Sequence, residues 1–317
     1  MRKKSNPSLL KAEQSQSNTF QGKGLAVAVG VLGVLFFSSK AVMVKLAYQH
    51  EVDSVTLLLL RMLFALPFYL TVVLFQKKDT RTSVNRKDYL YLIGFGFIGY
   101  YIASYFDFLG LSYIKASLER LILFVYPTLV FILSFIFLKK KITKNQAIAI
   151  LVTYLGVAIV FSSELNQGQS ENVVLGATLV FLSALTYAGY LVGSGWLIPK
   201  FGATRFTSYA MIVSCICVII HYSLSTDISV ILSLPQEVYW IAVLMAVFAT
   251  VIPSYMISFS IKTLGAGSFS IMGSLGPIST VLLAYFFLGE TLTTVQIIGA
   301  VVVIAGVMIG ERKKPKT

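Results

Sequence analysis

Ile102 to Gly156, IASYFDFLGLSYIKASLERLILFVYPTLVFILSFIFLKKKITKNQAIAILVTYLG, returns in pattern 150 positions later as Ile252 to Gly306, IPSYMISFSIKTLGAGSFSIMGSLGPISTVLLAYFFLGETLTTVQIIGAVVVIAG, with no insertion between the copies. Matched pairs include Ile102/Ile252, Ser104/Ser254, Tyr105/Tyr255, Ala116/Ala266, Pro127/Pro277, Leu138/Leu288, Thr143/Thr293, Gln146/Gln296 and Gly156/Gly306. Internal symmetry of this kind makes each half of the chain one structural unit.

The surrounding composition says what solvent those units meet. Of 317 residues, 56% are hydrophobic and 12% charged, and the mean hydropathy is +0.81. That leaves too little polar surface for a water-soluble globule, so the chain belongs in a bilayer. The formal charge of +13 does not point to nucleic acid, because the basic residues sit in short loops between apolar runs and read as topology. Cys215 and Cys217 are two apart in one apolar run, point in different directions on a helix and read as packing residues, with no metal or cofactor site implied. Residues 1–23 are polar and basic and read as a disordered cytoplasmic tail, and 311–317 as a second, basic one.

A spanning helix needs about 20 apolar residues. Ten such segments are expected, near 24–48, 54–75, 88–110, 117–138 and 145–163 in a first repeat (24–163), and near 173–196, 204–224, 236–261, 266–288 and 293–310 in a second (173–310). The loops test the count. Every second one is basic, and together these segments hold 21 of the 26 Lys and Arg, which places both termini in the cytoplasm. Five spans is odd, so the second repeat is inverted relative to the first. Inverted repeats are a common build of alternating-access carriers. The expected fold is thus all-α, ten transmembrane helices in two inverted five-helix repeats.

The repeat ends also resemble a known family. Tyr126-Pro127-Thr128 through Phe137-Leu138-Lys139-Lys140-Lys141-Ile142-Thr143, then Gln146 to Gly156, and Gly276-Pro277-Ile278 through Phe287-Leu288-Gly289-Glu290-Thr291-Leu292-Thr293, then Gln296 to Gly306, are similar to the EamA type of the drug/metabolite transporter superfamily. The first copy departs from that pattern at Lys140, where an acidic residue is usual; Arg61 resembles an arginine common in the family's second helix. The resemblance covers about residues 24–310. It implies a permease for small metabolites in the plasma (inner) membrane, exporting its solute, with a cavity lined by helices one to four and six to nine.

Several residues stand out against the apolar background. Thr143/Gln146 and Thr293/Gln296 read as capping boxes that start helices five and ten. Pro127 and Pro277 each remove a donor inside a helix, and Gly273, Gly276 and Pro277 together form the best candidate for a break or hinge. Ser104, Tyr105, Ser254 and Tyr255 carry hydroxyls at equivalent midmembrane positions; they are expected to bond each other across the pseudo-twofold axis, hold helices together, or meet a substrate. Gly299, Gly306 and Gly310 form a close-packing face on helix ten and leave a homodimer seam open.

Intramembrane charge needs a reason. Lys40, Arg61, Asp107, Glu119 and Arg120 form a mixed cluster confined to the first repeat, net positive, suited to an anionic or zwitterionic solute. The same residues could equally be a structural lattice, such as Lys40 to Glu119 and Arg61 to Asp107. Asp107 and Glu119 are the candidates for carrying a coupling proton, since desolvation favours the protonated form of a carboxylate. His50 and His221 read as surface residues at helix ends.

The sequence lacks a His-Glu-x-x-His, a Gly-x-Ser-x-Gly or paired aspartates within a span, which argues against an enzyme. A passive facilitator would share the repeat and differ only in gating, and so stays open beside the carrier.

Overall fold

The structure, a computed structural model, describes residues 7–76, 84–166, 172–264, 269, 272, 273 and 275–311. Among these, all regular elements are helical. Eight helical stretches are long and apolar enough to cross a membrane: Lys23–Tyr48, Ser54–Phe75, Arg86–Tyr113, Ala116–Leu138, Lys144–Leu165, Val173–Phe201, Ala203–Ser225 and Gln236–Leu264. Two shorter apolar helices, Leu275–Leu288 and Thr294–Gly310, follow. This is the architecture of an integral, multi-pass membrane protein.

The helices are α1 (Pro7–Tyr48), α2 (Ser54–Phe75), α3 (Arg86–Gly96), α4 (Ala103–Tyr113), α5 (Ala116–Leu123), α6 (Tyr126–Leu138), α7 (Lys144–Asn166), α8 (Val173–Phe201), α9 (Ala203–Ser225), α10 (Ser229–Leu232), α11 (Gln236–Ala246), α12 (Ile252–Leu264), α13 (Leu275–Leu288) and α14 (Thr294–Glu311). Two π-helical segments, Phe97–Ile102 and Val247–Val251, join α3 to α4 and α11 to α12. They lie at the 150-residue offset of the repeat.

Contacts between helices are symmetric under exchange of the halves. α1 packs on α12 while α4 packs on α8, α2 packs on its counterpart α9, and α7 packs on its counterpart α14. Each half therefore buries its apolar stripes against the other half. The main core gathers Leu57, Leu58, Met62 and Tyr69 of α2 with Phe108, Met211, Cys215 and Met245. Cys215 sits there as a packing residue, its thiol 3.4 Å from the Met62 carbonyl oxygen. On the outside, Leu74, Phe75 and Leu224 are among the many large apolar side chains left exposed. In water they would form an aggregation-prone patch; in a bilayer they meet lipid.

The α7–α14 pair shows why glycines recur there. A Cβ at Gly156 would lie 2.7 Å from the Val303 amide nitrogen, one at Gly306 2.7 Å from that of Thr153, and one at Gly310 2.8 Å from the Ala149 Cβ. Without a hydrophobic drive between helices in lipid, such close backbone approach supplies the packing energy. The close-packing face of Gly299, Gly306 and Gly310 is engaged with α7 of the same chain. Both capping boxes form. The amides of Thr143 and Thr293 donate to the Oε1 of Gln146 and Gln296 at 2.9 and 2.8 Å, and the Gln amides donate back to the Thr hydroxyls at 3.3 Å.

Two expectations change. The leader, expected to be disordered up to residue 23, is helical from Pro7 onward. Its physical basis is a proline at the helix start followed by the strong helix formers Leu9, Leu10, Lys11, Ala12 and Glu13. The fourth span, expected as one kinked helix with Pro127 halfway along, is instead two helices, α5 and α6, separated at Phe124 and Val125. Pro127 sits in the first turn of α6, where its missing donor costs nothing. Of the ninth span expected at 266–288, residues 266–268, 270, 271 and 274 lie outside the described residues, and so does part of the break proposed around Gly273. The basic residues Lys77, Lys78 and Arg81 and the tail 312–317 lie outside them too.

Candidate functional site

Where the fourth span breaks and the π segments widen their helices, a central cavity opens. Its wall takes Leu123, Phe124 and Tyr126 from the α5–α6 break, Gly99 and Tyr100 from the first π segment, and Ala249 and Thr250 from the second. A π turn inserts one extra residue and so re-aims the backbone, which is why such turns collect at functional sites. Gly99 is required there: a Cβ would meet the Tyr190 side chain at 2.1 Å.

Four of the five charged residues singled out in the sequence, Lys40, Arg61, Asp107 and Arg120, line this cavity. Glu119 stands beside them, fully buried. Of the lattice expected, the Lys40–Glu119 pair is present and the Arg61–Asp107 pair is not. Lys40 Nζ donates to Asp107 Oδ2 at 2.5 Å and lies 3.9 Å from Glu119 Oε1. Arg61 does not take Asp107; its guanidinium lies on the face of Phe108, 4.6 Å from the ring centroid. The side chain is 4% exposed, yet Nε and Nη2 have no hydrogen-bond partner among the described residues. Arg120 donates to Ser38 Oγ at 3.1 Å and lies over Phe37, which also faces Lys40. The register of α2 explains the difference: Arg61 is presented toward α4 at Phe108, one residue past Asp107, and Lys40 of α1 fills the carboxylate's side.

Gly276, in the first turn of α13, lets that helix approach the cluster. A Cβ there would stand 3.2 Å from Arg120 Nη2, and a Cβ at Gly273 2.9 Å from the Tyr126 hydroxyl. Pro277 is buried next to it. The hydroxyl pairs separate. Ser104 and Ser254 both line the cavity, but they do not bond each other. Ser254 meets Tyr69 at 3.0 Å and Tyr255 meets Ser208 at 2.7 Å, so both tie α12 to α2 and α9. Tyr105 packs on His221, ring centroids 4.9 Å apart, so His221 is part of a helix contact rather than a free surface group.

Against these features the comparison with known proteins is decisive. The pattern of the EamA-like transporter family matches residues 24–162 and 174–310. The chain belongs to the EamA-like transporter family. Among EamA-like relatives, the uncharacterized transporter YcbK of Bacillus subtilis (strain 168) is 28% identical over 275 residues, covering 85% of this chain and 87% of its own. The uncharacterized transporter YyaM of the same organism is 29% identical over 243 residues, covering 75% and 78%. The uncharacterized transporter sll1319 of Synechocystis sp. is 24% identical over 308 residues, covering 88% and 91%. A solved crystal structure, 14% identical, matches with a TM-score of 0.63 over 90% of this chain and 96% of its own, and shows the fold alone. Family and relatives are named as transporters, not enzymes.

Three features of this EamA-like cavity escaped sequence reasoning. The π segments leave no mark in composition. The aromatic wall of Phe124, Tyr126 and Tyr187 reads in sequence as ordinary apolar helix. The third is Glu290, whose carboxylate leaves its own repeat to cap α5. It accepts from the amides of Ala116 at 2.9 Å and Ser117 at 3.0 Å, and from the Ser117 hydroxyl at 2.7 Å. The departure at Lys140, the equivalent position of the first repeat, was the available signal that Glu290 does something its counterpart does not.

Proposed function

We propose that this EamA-like protein is a secondary carrier of ten spans in two inverted repeats (24–163 and 173–310), with both termini cytoplasmic. It moves a small polar metabolite or amino acid across the plasma membrane by alternating access, in the direction of export. One observation carries the reading: the central cavity is walled by both halves at matching positions, Ser104 with Ser254, Gly99 with Ala249 and Tyr100 with Thr250. A site shared by two exchangeable halves can be exposed by either of two packings related by the repeat. The substrate and coupling candidates are Lys40, Arg61, Ser104, Asp107, Glu119 and Arg120, with Tyr105, Ser254 and Tyr255 holding the helices around them. Pro127, Gly273, Gly276 and Pro277 mark the segments that shift. Asp107 and Glu119 carry the coupling proton.

Counterflow in proteoliposomes tests this. Vesicles preloaded with unlabelled solute, drawn from amino acids, carboxylates and nucleosides, are expected to accumulate labelled solute transiently above the external level. Uptake that only equilibrates, whatever is inside, identifies a passive facilitator instead. An imposed pH gradient is expected to drive accumulation in the wild type and not in Asp107→Asn or Glu119→Gln.

A further inference from the structure

We infer that the cavity's substrate is a carboxylate with an apolar body, its carboxylate held by Arg61 and its body lying against the second repeat. This rests on the carrier reading above and names the substrate class of the same site.

The argument starts with charge. Lys40, Arg61 and Arg120 face Asp107 and Glu119, so the buried cluster sets three basic side chains against two acidic ones. Lys40 lies between the two carboxylates, 2.5 Å from one and 3.9 Å from the other, and Arg120 has Ser38. Arg61 is left, 4% exposed, with Nε and Nη2 unpartnered among the described residues and the flat face of its guanidinium resting on Phe108. A buried guanidinium without an anion is costly in a membrane interior. Stacking on an aromatic ring stabilises the cation while leaving the donors along its edge available. Those donors match the two oxygens of a carboxylate.

Asp107 Oδ1 and both carboxylate oxygens of Glu119 also lack a hydrogen-bond partner among the described residues, so the cluster sets no limit on a second charge of the ligand; Arg61 selects its carboxylate end.

The opposite wall selects the body. Residues 150 positions on from Arg61 and Asp107 are Met211 and Ile257, both in the cavity wall, and Phe269 matches Glu119. Tyr187 and Phe124 complete an apolar and aromatic face. A ligand whose charged end is drawn to the first repeat meets mainly hydrocarbon at its other end.

The test is a matched series on the purified full-length protein in nanodiscs, read by calorimetry: 3-phenylpropanoate, its neutral amide, 3-phenylpropylamine and acetate. The wild type is expected to bind 3-phenylpropanoate about tenfold or more tightly than any of the others, the ratio expected of a charge-assisted bond. Arg61→Gln is expected to bring the carboxylate down to the affinity of the amide and leave the amide unchanged. Arg61→Lys retains part of the preference. Tighter binding of the amide, of the amine or of acetate overturns the inference, as does no detectable binding of 3-phenylpropanoate. So does a preference that survives in a folded Arg61→Gln protein. The wild-type series alone decides the charge class should that variant not fold. Carboxylate-selective binding without counterflow would leave this inference standing and fail the carrier; counterflow of amines alone would do the reverse.

Discussion

Arg61 and Met211 line one cavity 150 residues apart, as do Asp107 and Ile257, while Lys40 answers to Tyr190 and Glu119 to Phe269. The first half supplies ionisable groups where the second supplies thioether, branched or aromatic ones. The backbone devices are shared by contrast: a π segment at 97–102 and at 247–251, a capping box on α7 and on α14, and a crossing glycine on each. Contacts that recur under exchange of the halves, α1 on α12 as α8 on α4, constrain the residues that form them, because the same surfaces are used twice. They do not constrain the lining of the cavity, since a small ligand has two unlike ends. Packing keeps the symmetry and chemistry breaks it.

The largest way to break the comparison is Lys40→Met. It leaves Asp107 and Glu119 buried against each other with no cation between them, and removing one partner of a buried ion pair costs about 3 to 5 kcal/mol. Its counterpart Tyr190→Phe removes only a long hydroxyl contact to Tyr100 at 3.4 Å, with an expected cost of about 1 kcal/mol or less. Equilibrium unfolding of both variants in mixed micelles gives the two values. Similar costs would mean that the charges are no more structural than the aromatic residues opposite.

How much of this was legible in the sequence follows the same division. Eight of the ten expected spans could be read because a bilayer demands apolar runs of a fixed minimum length, and the repeat because its copies stay in step. The charged residues could be read because each is conspicuous in an apolar run. Their pairing could not: whether Arg61 meets Asp107 or Phe108 depends on how α2 is rotated against α4, which no spacing records. The break in the fourth span was read as a kink at Pro127, since a missing donor is visible in sequence. What ends α5 at Leu123 is tertiary, with Phe124 packed against Val303 and Val307 of α14. The glycines of α14 announced a close neighbour without saying that it was α7 of the same chain.

The shared part of the comparison is sharpened by Gly156→Ala and Gly306→Ala. Each new methyl would meet backbone of the facing helix at 2.7 Å, Val303 in one case and Thr153 in the other. Backbone cannot yield as a flexible side chain can, so each variant is expected to lose about 1 to 3 kcal/mol, and the two losses should agree closely. Thermal unfolding measured side by side reads the difference. Unequal losses would show that the α7–α14 contact is less symmetric than its geometry.

A smaller effect separates Glu290 from Lys140. The two follow Gly289 and Lys139, which both have a left-handed backbone, φ 66° and 52°, so the chain leaves α13 and α6 in the same way. From there Glu290 reaches across to the first turn of α5 and accepts three hydrogen bonds, while Lys140 is exposed. A carboxylate at a helix start satisfies free amides and meets the positive end of the helix dipole, together worth about 1 to 2 kcal/mol. Glu290→Ala is expected to lose that amount of unfolding free energy, Glu290→Gln to recover part of it, and Lys140→Ala to leave unfolding unchanged. The consequence extends beyond stability, because α5 carries Glu119 and Arg120. A cysteine at Ser104, in the cavity wall, should react faster with a membrane-impermeant maleimide once the cap is removed by Glu290→Ala, and at the wild-type rate in Lys140→Ala. Equal labelling in both would reduce Glu290 to an ordinary helix cap; faster labelling in the first alone would make it a tie between the halves that keeps one end of the cavity shut.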